Sequence, residues 1–550
     1  MLTRSLPESP ITTDVNADPI AQLRAEVGDA AASIGDGAAA PNLDRPPQPD
    51  FGDYSTNAAM LLAPVLGDSP RAIAERLGAV LGERLDTAVE RVEVAGPGFL
   101  NLFMTDSWYL DALARALAAG ERFGAGTAEA PEHVNVEFVS ANPTGPITVA
   151  SARHGAYGDS LSRILEYAGH RVEREYYVND AGGQVRRFGE SIRARARGEE
   201  PPEDGYHGAY VAELAASIDG AADIAPEELA ERGVELILEG VRVSLSRLRV
   251  EMDRYSLEHK LHGGLDEVIE RLVGVYESDG ATWLRTTTQG DDKDRVLRRS
   301  SGDFTYFAVD IAYHADKLAR GYDRMIAVWG ADHHGHIKRM RIAWEQLGGD
   351  PKQLEIVLMQ LVNLTESGER VQMSKRAGTL VLLDDLLDDI GVDATRWFLL
   401  QRSHDTTIDL DLELARSESQ DNPVYYVQYA HARIAGILAK AGEERVGRAL
   451  EADLRASDER LHPSARSLIK RLLELPDELR EAGERRAPHR LTVYAHETAQ
   501  EFSAFYRDVK VVGAAEEGAD EDVRLAICVA AKSVLARSLD LLGVSAPESM

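Results

Sequence analysis

The chain has 550 residues, with 92 acidic against 61 basic side chains, a net charge of −31 with histidine counted neutral. At roughly 100–200 residues per domain, that length excludes a single small module and supports about three or four domains. No apolar run reaches the ~18–20 residues that span a bilayer, no secretory pattern follows Arg4, and a lone Cys528 excludes an internal disulfide, so a soluble, cytoplasmic protein without a membrane partner is expected.

Residues 1–126 read as a small α+β domain. It opens with an alanine-rich, weakly ordered stretch and a proline cluster, PPQPD. A helix in FGDYSTNAAMLLAPVL and two short strands around the glycines of RVEVAGPGFLNLFM follow. TAEAPEH is a polar linker. From Val134 the pattern changes: VNVEFVS reads as a buried strand, NPTGP as a loop, the stretch to Tyr167 as a helix closed by Gly169, and RVEREYYV as a second strand. This βαβ pattern returns at RMIAVW, with a helix carrying Ile337, Met340, Trp344 and Leu347 on one face and then QLEIVLMQLV. Residues 127–420 are therefore expected to form a Rossmann-like parallel α/β sheet, split by a helical insertion at about 190–300. From 421 to 550, beginning NPVYYVQYAHARIAGILAKAG, only amphipathic helical segments remain.

Four segments carry candidate chemistry. The loop and helix start after the first strand, containing Asn142, Pro143, Thr144, Gly145, Pro146, Thr148, Ala150 and Ser151, lie where a parallel sheet presents amides to phosphates; an ordinary strand-to-helix turn is the plain alternative. VQMSKRAGT offers Lys375 on a polar loop that can reach a triphosphate, or simply a solvated loop. In TYFAVDIAY, Tyr306 and Asp310 share a helix face and, with Glu137, can meet a cationic side chain. WGADHHGHIKRM tempts a metal reading through Asp332, His333, His334 and His336, but adjacent histidines diverge by about 100° and no zinc spacing supports it, so no bound metal is expected.

In this chain order the segments resemble the arginyl-tRNA synthetases, a class I aminoacyl-tRNA synthetase family. The likeness runs through DFGDYSTNAAM, GPGFLN, SANPTGP, EYYVNDAGGQ, GDDKDRV, TYFAVDIAYHADK, VWGADHHGH, MSKRAG and NPVYYVQYAHAR. It implies ATP-dependent activation of L-arginine and transfer to tRNA(Arg), with Mg2+ accompanying the nucleotide. By the family pattern, residues 141–151 hold ATP together with Met373, Ser374 and Lys375, and Lys375, Thr148 and Ser151 act in catalysis. Glu137, Asn142, Tyr306, Asp310 and Asp332 bind arginine. The N-terminal domain touches the outer corner of the tRNA, the helical domain is of the DALR anticodon-binding type, with Tyr425, Tyr426 and Tyr429 near its entrance or in its core, and the chain works as a monomer.

The sequence also departs from that pattern. Where relatives carry a HIGH-like HVGH, this chain has Thr148, Val149, Ala150 and Ser151, and Gln372 replaces the first lysine of KMSKS. Hydroxyls donate to phosphates but carry no positive charge. Three readings follow: an active enzyme in which His154, Arg153 or His333 supplies the lost charge, a non-catalytic paralogue that binds tRNA or arginine, or a nucleotide-binding metalloenzyme built on the histidines.

Overall fold

The computed structural model describes residues 18–36, 40–371 and 381–550. Its first element corrects the expectation of a weakly ordered start. Pro19–Ile34 is a helix whose N-cap Asp18 accepts from the amides of Ile20 and Ala21 and whose Leu23, Val27 and Ala30 are buried. Alanine is a good helix former once a cap and an apolar stripe are supplied. Strands Tyr54–Thr56, Phe99–Met104 and Val89–Ala95 form an antiparallel sheet in that order. The following helix, Asp106–Ala119, packs against Pro463–Leu473 and Glu521–Leu541 of the C-terminal helices. Arg466 reaches Asp106 and Arg24 reaches Asp477, both at 2.6 Å, so the two ends of the chain are docked on each other.

The central sheet has five parallel strands in the order Leu354–Met359, Arg324–Gly330, His133–Glu137, Arg171–Val178, Arg254–Leu257. The chain runs from His133–Glu137 outward to one side and later returns on the other. The crevice beyond the C-terminal ends of His133–Glu137 and Arg324–Gly330 is thus a topological switch point, where parallel sheets bind ligands.

Alternation along the strands makes the two faces unlike. Val134, Val136 and Phe138 are buried, and Phe138 packs so closely under helix Val149–Ala168 that a Cβ on Gly158 would lie 2.1 Å from its ring. The opposite face carries Asn135, Glu137, Glu173 and Glu175 beneath helix Tyr306–Ala319.

The segment between the two βαβ units differs from the helical insertion expected at about 190–300. Helices Gly183–Ala196, Ala209–Ser217 and Pro226–Arg247 occupy its first part. The rest supplies the edge strand Arg254–Leu257 and a small antiparallel sheet, Val275–Ser278, Ala281–Leu284 and Arg295–Arg298. Four-residue strands leave too little alternation to be read. QLEIVLMQLV also divides: Leu354–Met359 joins the main sheet, whereas Val362–Glu366 pairs in parallel with Ile408–Asp411. Beyond this lie six α-helices, from Pro423–Ala441 to Glu521–Leu541. Buried Arg396 joins three regions, bonding Asp159 Oδ2 at 2.7 Å and the carbonyls of Leu248 at 2.8 Å and Leu542 at 2.7 Å.

Candidate active site

The crevice begins with a sharp turn. Val139 (φ 68°) and Ser140 (φ 40°) are left-handed directly after the first strand, a conformation that costs non-glycine residues about 1–3 kcal/mol each and clusters at functional sites. The turn lets Ser140 Oγ donate to Glu137 Oε1 at 3.0 Å and accept from the Tyr177 amide at 3.1 Å.

Glu137 is not a free carboxylate. Its Oε2 lies 2.6 Å from Lys317 Nζ, and both side chains are almost fully buried, at 6% and 1% exposure. Arg320 bonds both oxygens of Glu175 at 2.9 Å next to this pair. Burial favours the neutral form of Glu175, but Lys317 and Arg320 outweigh it and hold the carboxyl below its usual range. Such pairs gain little over apolar packing, yet removing one partner strands a charge at a cost of about 3–5 kcal/mol.

Tyr306, Asp310, Tyr313 and Lys317 follow one another at three- and four-residue spacing, so one helix face runs from the crevice mouth to the sheet. Tyr306 is 55% exposed. A Cβ on Gly182 would meet the Tyr306 hydroxyl at an ordinary 3.5 Å, so it is the φ of 85° that favours glycine beside the phenol. Asp310 Oδ2 lies 2.9 Å from His336 Nε2.

Two further groups that the sequence did not single out close the pocket. Tyr177 donates to Glu258 Oε2 at 2.9 Å. Glu258 is buried, and burial drives its carboxyl above the usual range, an effect that nearby Asp310 adds to and the Tyr177 and His262 contacts oppose. Burial, with Glu258, Asp310 and Glu137 around it, pushes the Tyr177 phenol far upward, so it stays a neutral donor. Glu258 and Asp310 thus lie near each other, with His262 3.6 Å from Glu258 Oε1 and His336 2.9 Å from Asp310 Oδ2, a pair of carboxylates whose geometry suits the planar donors of a guanidinium.

At the other wall, Thr148 caps helix Val149–Ala168, its hydroxyl accepting from the Ser151 amide at 3.5 Å and lying 3.4 Å from Ser151 Oγ. Ala150 is exposed on the first turn, and Pro143 and Thr144 are buried. Asn142 donates to Gln184 Oε1 at 2.9 Å, and the Thr144 carbonyl accepts from Tyr210 at 2.7 Å. Gly145 lies against the same Tyr210 ring, while Pro146 is half-buried. Gln372, Met373, Ser374 and Lys375 lie outside the described residues. The chain just after them, at Val381 and Leu382, pairs with Val149 and Thr148.

The expected charge compensation is not found in two of its three candidates. Arg153 turns away to the carbonyls of Gln360 at 2.7 Å and Ser403 at 2.9 Å. His154 is half-buried, with Nδ1 shut off from solvent, and is held near pKa 4, chiefly by desolvation, so it is neutral at pH 7. His333 is exposed and leans on Asp332 at 3.7 Å. Nor do the histidines gather: among the described residues no three His, Cys, Asp or Glu side chains converge as a metal would need.

On the C-terminal helices, Tyr425 and Tyr429 stack with centroids 6.2 Å apart and planes 8° apart. Arg433 donates to the Tyr429 hydroxyl at 2.6 Å and lies 5.2 Å from the Tyr506 ring centre. Tyr426 instead turns inward to Ser503, its hydroxyl 3.0 Å from that side chain.

Comparison with known proteins agrees along most of the chain. Residues 21–104 match the arginyl tRNA synthetase N terminal domain, residues 241–417 the class I (R) tRNA synthetase catalytic domain, and residues 427–550 the DALR anticodon binding domain. An arginine–tRNA ligase of Geobacillus thermodenitrificans is 44% identical over 531 residues, covering 92% of this chain and 94% of that relative. One from Oceanobacillus iheyensis is 41% identical over 529 residues with the same coverage. The fold is shared with the arginyl-tRNA synthetase of Thermus thermophilus, at a TM-score of 0.75 and 24% identity over 96% of this chain and 99% of that one. With its three matched regions in order and relatives this similar over nearly their full length, the chain belongs to the arginyl-tRNA synthetase family.

Proposed function

We propose that the crevice at the switch point is where this arginine–tRNA ligase activates its amino acid, with Asp310 and Glu258 receiving the guanidinium. The pair of carboxylates between helix Tyr306–Ala319 and the strand end at Glu258 carries this reading, because buried Glu258 meets no lysine or arginine among the described residues, only His262 at 3.6 Å. Tyr306 at the mouth and Asn142 across from it bound the substrate, with Asp332 further out. Glu137, neutralised by Lys317, orients Ser140 and Tyr177 and does not meet the guanidinium directly.

In the first step the arginine carboxylate attacks the α-phosphorus of ATP and pyrophosphate leaves. In the second, a hydroxyl of the terminal tRNA ribose attacks the adenylate carbonyl and AMP leaves. Residues 142–151 are assigned to the nucleotide, with Thr148 shaping the helix start and Ser151 facing the phosphates. Lys375 is assigned to the charge that develops on them. Magnesium is assigned to the nucleotide's own phosphates.

Domain roles follow the family: residues 1–126 to the outer corner of the tRNA, 127–420 to catalysis and 421–550 to the anticodon. The stacked Tyr425 and Tyr429, extended by Arg433, form a platform on which bases stack. The chain is assigned a monomeric state. A single buried cysteine suits the reducing cytoplasm.

Arginine-dependent exchange of labelled pyrophosphate into ATP, with and without tRNA, tests the reading. We expect exchange in the presence of tRNA, reduced by roughly two orders of magnitude or more in Lys375→Ala with arginine KM little changed. No exchange under either condition, with tRNA binding intact, would refute it.

A further inference from the structure

Asp310 is held by a second layer of side chains. His336, near the start of helix His334–Gln346, brings Nε2 to 2.9 Å from Asp310 Oδ2 with its side chain only 12% exposed. On the far side of the ring, Arg339 Nε donates to His336 Nδ1 at 2.5 Å. A guanidinium can only donate, so Nδ1 is the bare nitrogen and a neutral ring carries its proton on Nε2, toward the carboxylate. Trp329 and Phe307 flank the imidazole, with ring centres 5.5 and 5.8 Å away, and fix its plane. The Arg339 guanidinium lies over the same Phe307 ring at 5.8 Å. The contact lies off the line of a hydrogen bond, so Nε2–H positions Oδ2 by close approach of its dipole and not by directed donation.

We infer that His336 and Arg339 are positioning residues for arginine recognition. The imidazole pins Oδ2 of Asp310 and leaves Oδ1 to the substrate guanidinium, while Arg339 selects the ring nitrogen that carries the proton. The histidine-rich segment thus acts as a scaffold for a carboxylate and not as a metal site. The inference rests on Asp310 being a guanidinium ligand, and the variants below separate the two.

The experiment is tRNA-supported pyrophosphate exchange at varied arginine and ATP for H336F, H336Q, R339M, D310N and the double variant D310N/H336F. H336F should raise arginine KM roughly 10- to 50-fold, with kcat and ATP KM changed less than about threefold. H336Q places an N–H near the position of Nε2 and should recover most of that loss. R339M, which leaves the ring in place but frees its tautomer, should raise arginine KM about 3- to 10-fold. In the D310N background H336F should add little, because the group it positions is already disabled.

Unchanged arginine KM in both H336F and R339M would overturn the inference while leaving Asp310 in its role, as would an H336F effect that is undiminished on D310N. An unchanged arginine KM in D310N itself would remove Asp310 from recognition and the inference with it. Should H336F fail to fold, R339M and H336Q decide the matter: an unmoved KM in R339M, or an H336Q KM raised as far as that of D310N, counts against positioning.

Discussion

The two faces of the central sheet are built on opposite principles. Under helix Val149–Ala168, Val134, Val136 and Phe138 pack against apolar atoms, closely enough that Gly158 has no room for a methyl group. Under helix Tyr306–Ala319 the same strands bury Glu137 and Glu175, matched by Lys317 and Arg320. The apolar face supplies stability by removing surface from water. The charged face forgoes much of that gain, and in return the helix that neutralises the strands also delivers Tyr306 and Asp310 to the crevice. Function is thus paired with the face that stabilises less, a general tendency at sites that bind charged ligands.

Breaking the charged face should have the largest effect. Lys317→Met leaves the Glu137 carboxylate buried without its partner, and we expect a loss of about 3–5 kcal/mol in urea unfolding together with most of the activity. Adding Glu137→Gln should restore much of the stability without the activity, and a double variant as unstable as Lys317→Met would mean the pair is not what couples helix to strand. On the apolar face, Gly158→Ala forces the Phe138 ring aside, for an expected loss of about 1–3 kcal/mol with arginine KM within about twofold. A large change in KM there would show that the faces are not separable.

The acid side of the activity profile sharpens the comparison further. Binding of a guanidinium requires ionised Glu258, whose carboxyl lies above the usual glutamate range because it is buried. Arginine KM should therefore rise as pH falls, beginning at a higher pH than an ordinary glutamate would give, and this dependence should vanish in Glu258→Gln. A persisting acid limb in that variant would assign the titration to another group.

Much of this was legible in the sequence where periodicity is strong. The strands at 133–137 and 171–178, the helix between them and the loop at 142–148 follow from apolar spacing, glycine and proline. Helix Pro19–Ile34 escaped because its alanines give little contrast between faces, and only the Asp18 cap followed by Pro19 at the first helical position marks its start. The strand Arg254–Leu257 escaped because four residues, RYSL, are too few to show a period. Glu258 follows that strand directly, so it escaped with it.

Pairings distant in sequence were the least legible. Nothing in VNVEF shows that Glu137 will meet Lys317, and the Tyr306–Asp310 spacing gave only half of a face that continues to Tyr313 and Lys317. The missing HIGH histidines were visible, but that Arg153 is engaged elsewhere and His154 is neutral depends on tertiary burial.

The most direct measurement is calorimetric titration of L-arginine into Glu258→Gln, Asp310→Asn and the double variant, with tRNA present. If both carboxylates hold the guanidinium, each single change weakens binding by about 10-fold or more, as for loss of a charge-assisted hydrogen bond, and the double change abolishes measurable affinity. Wild-type affinity in the double variant would place the guanidinium outside this pocket.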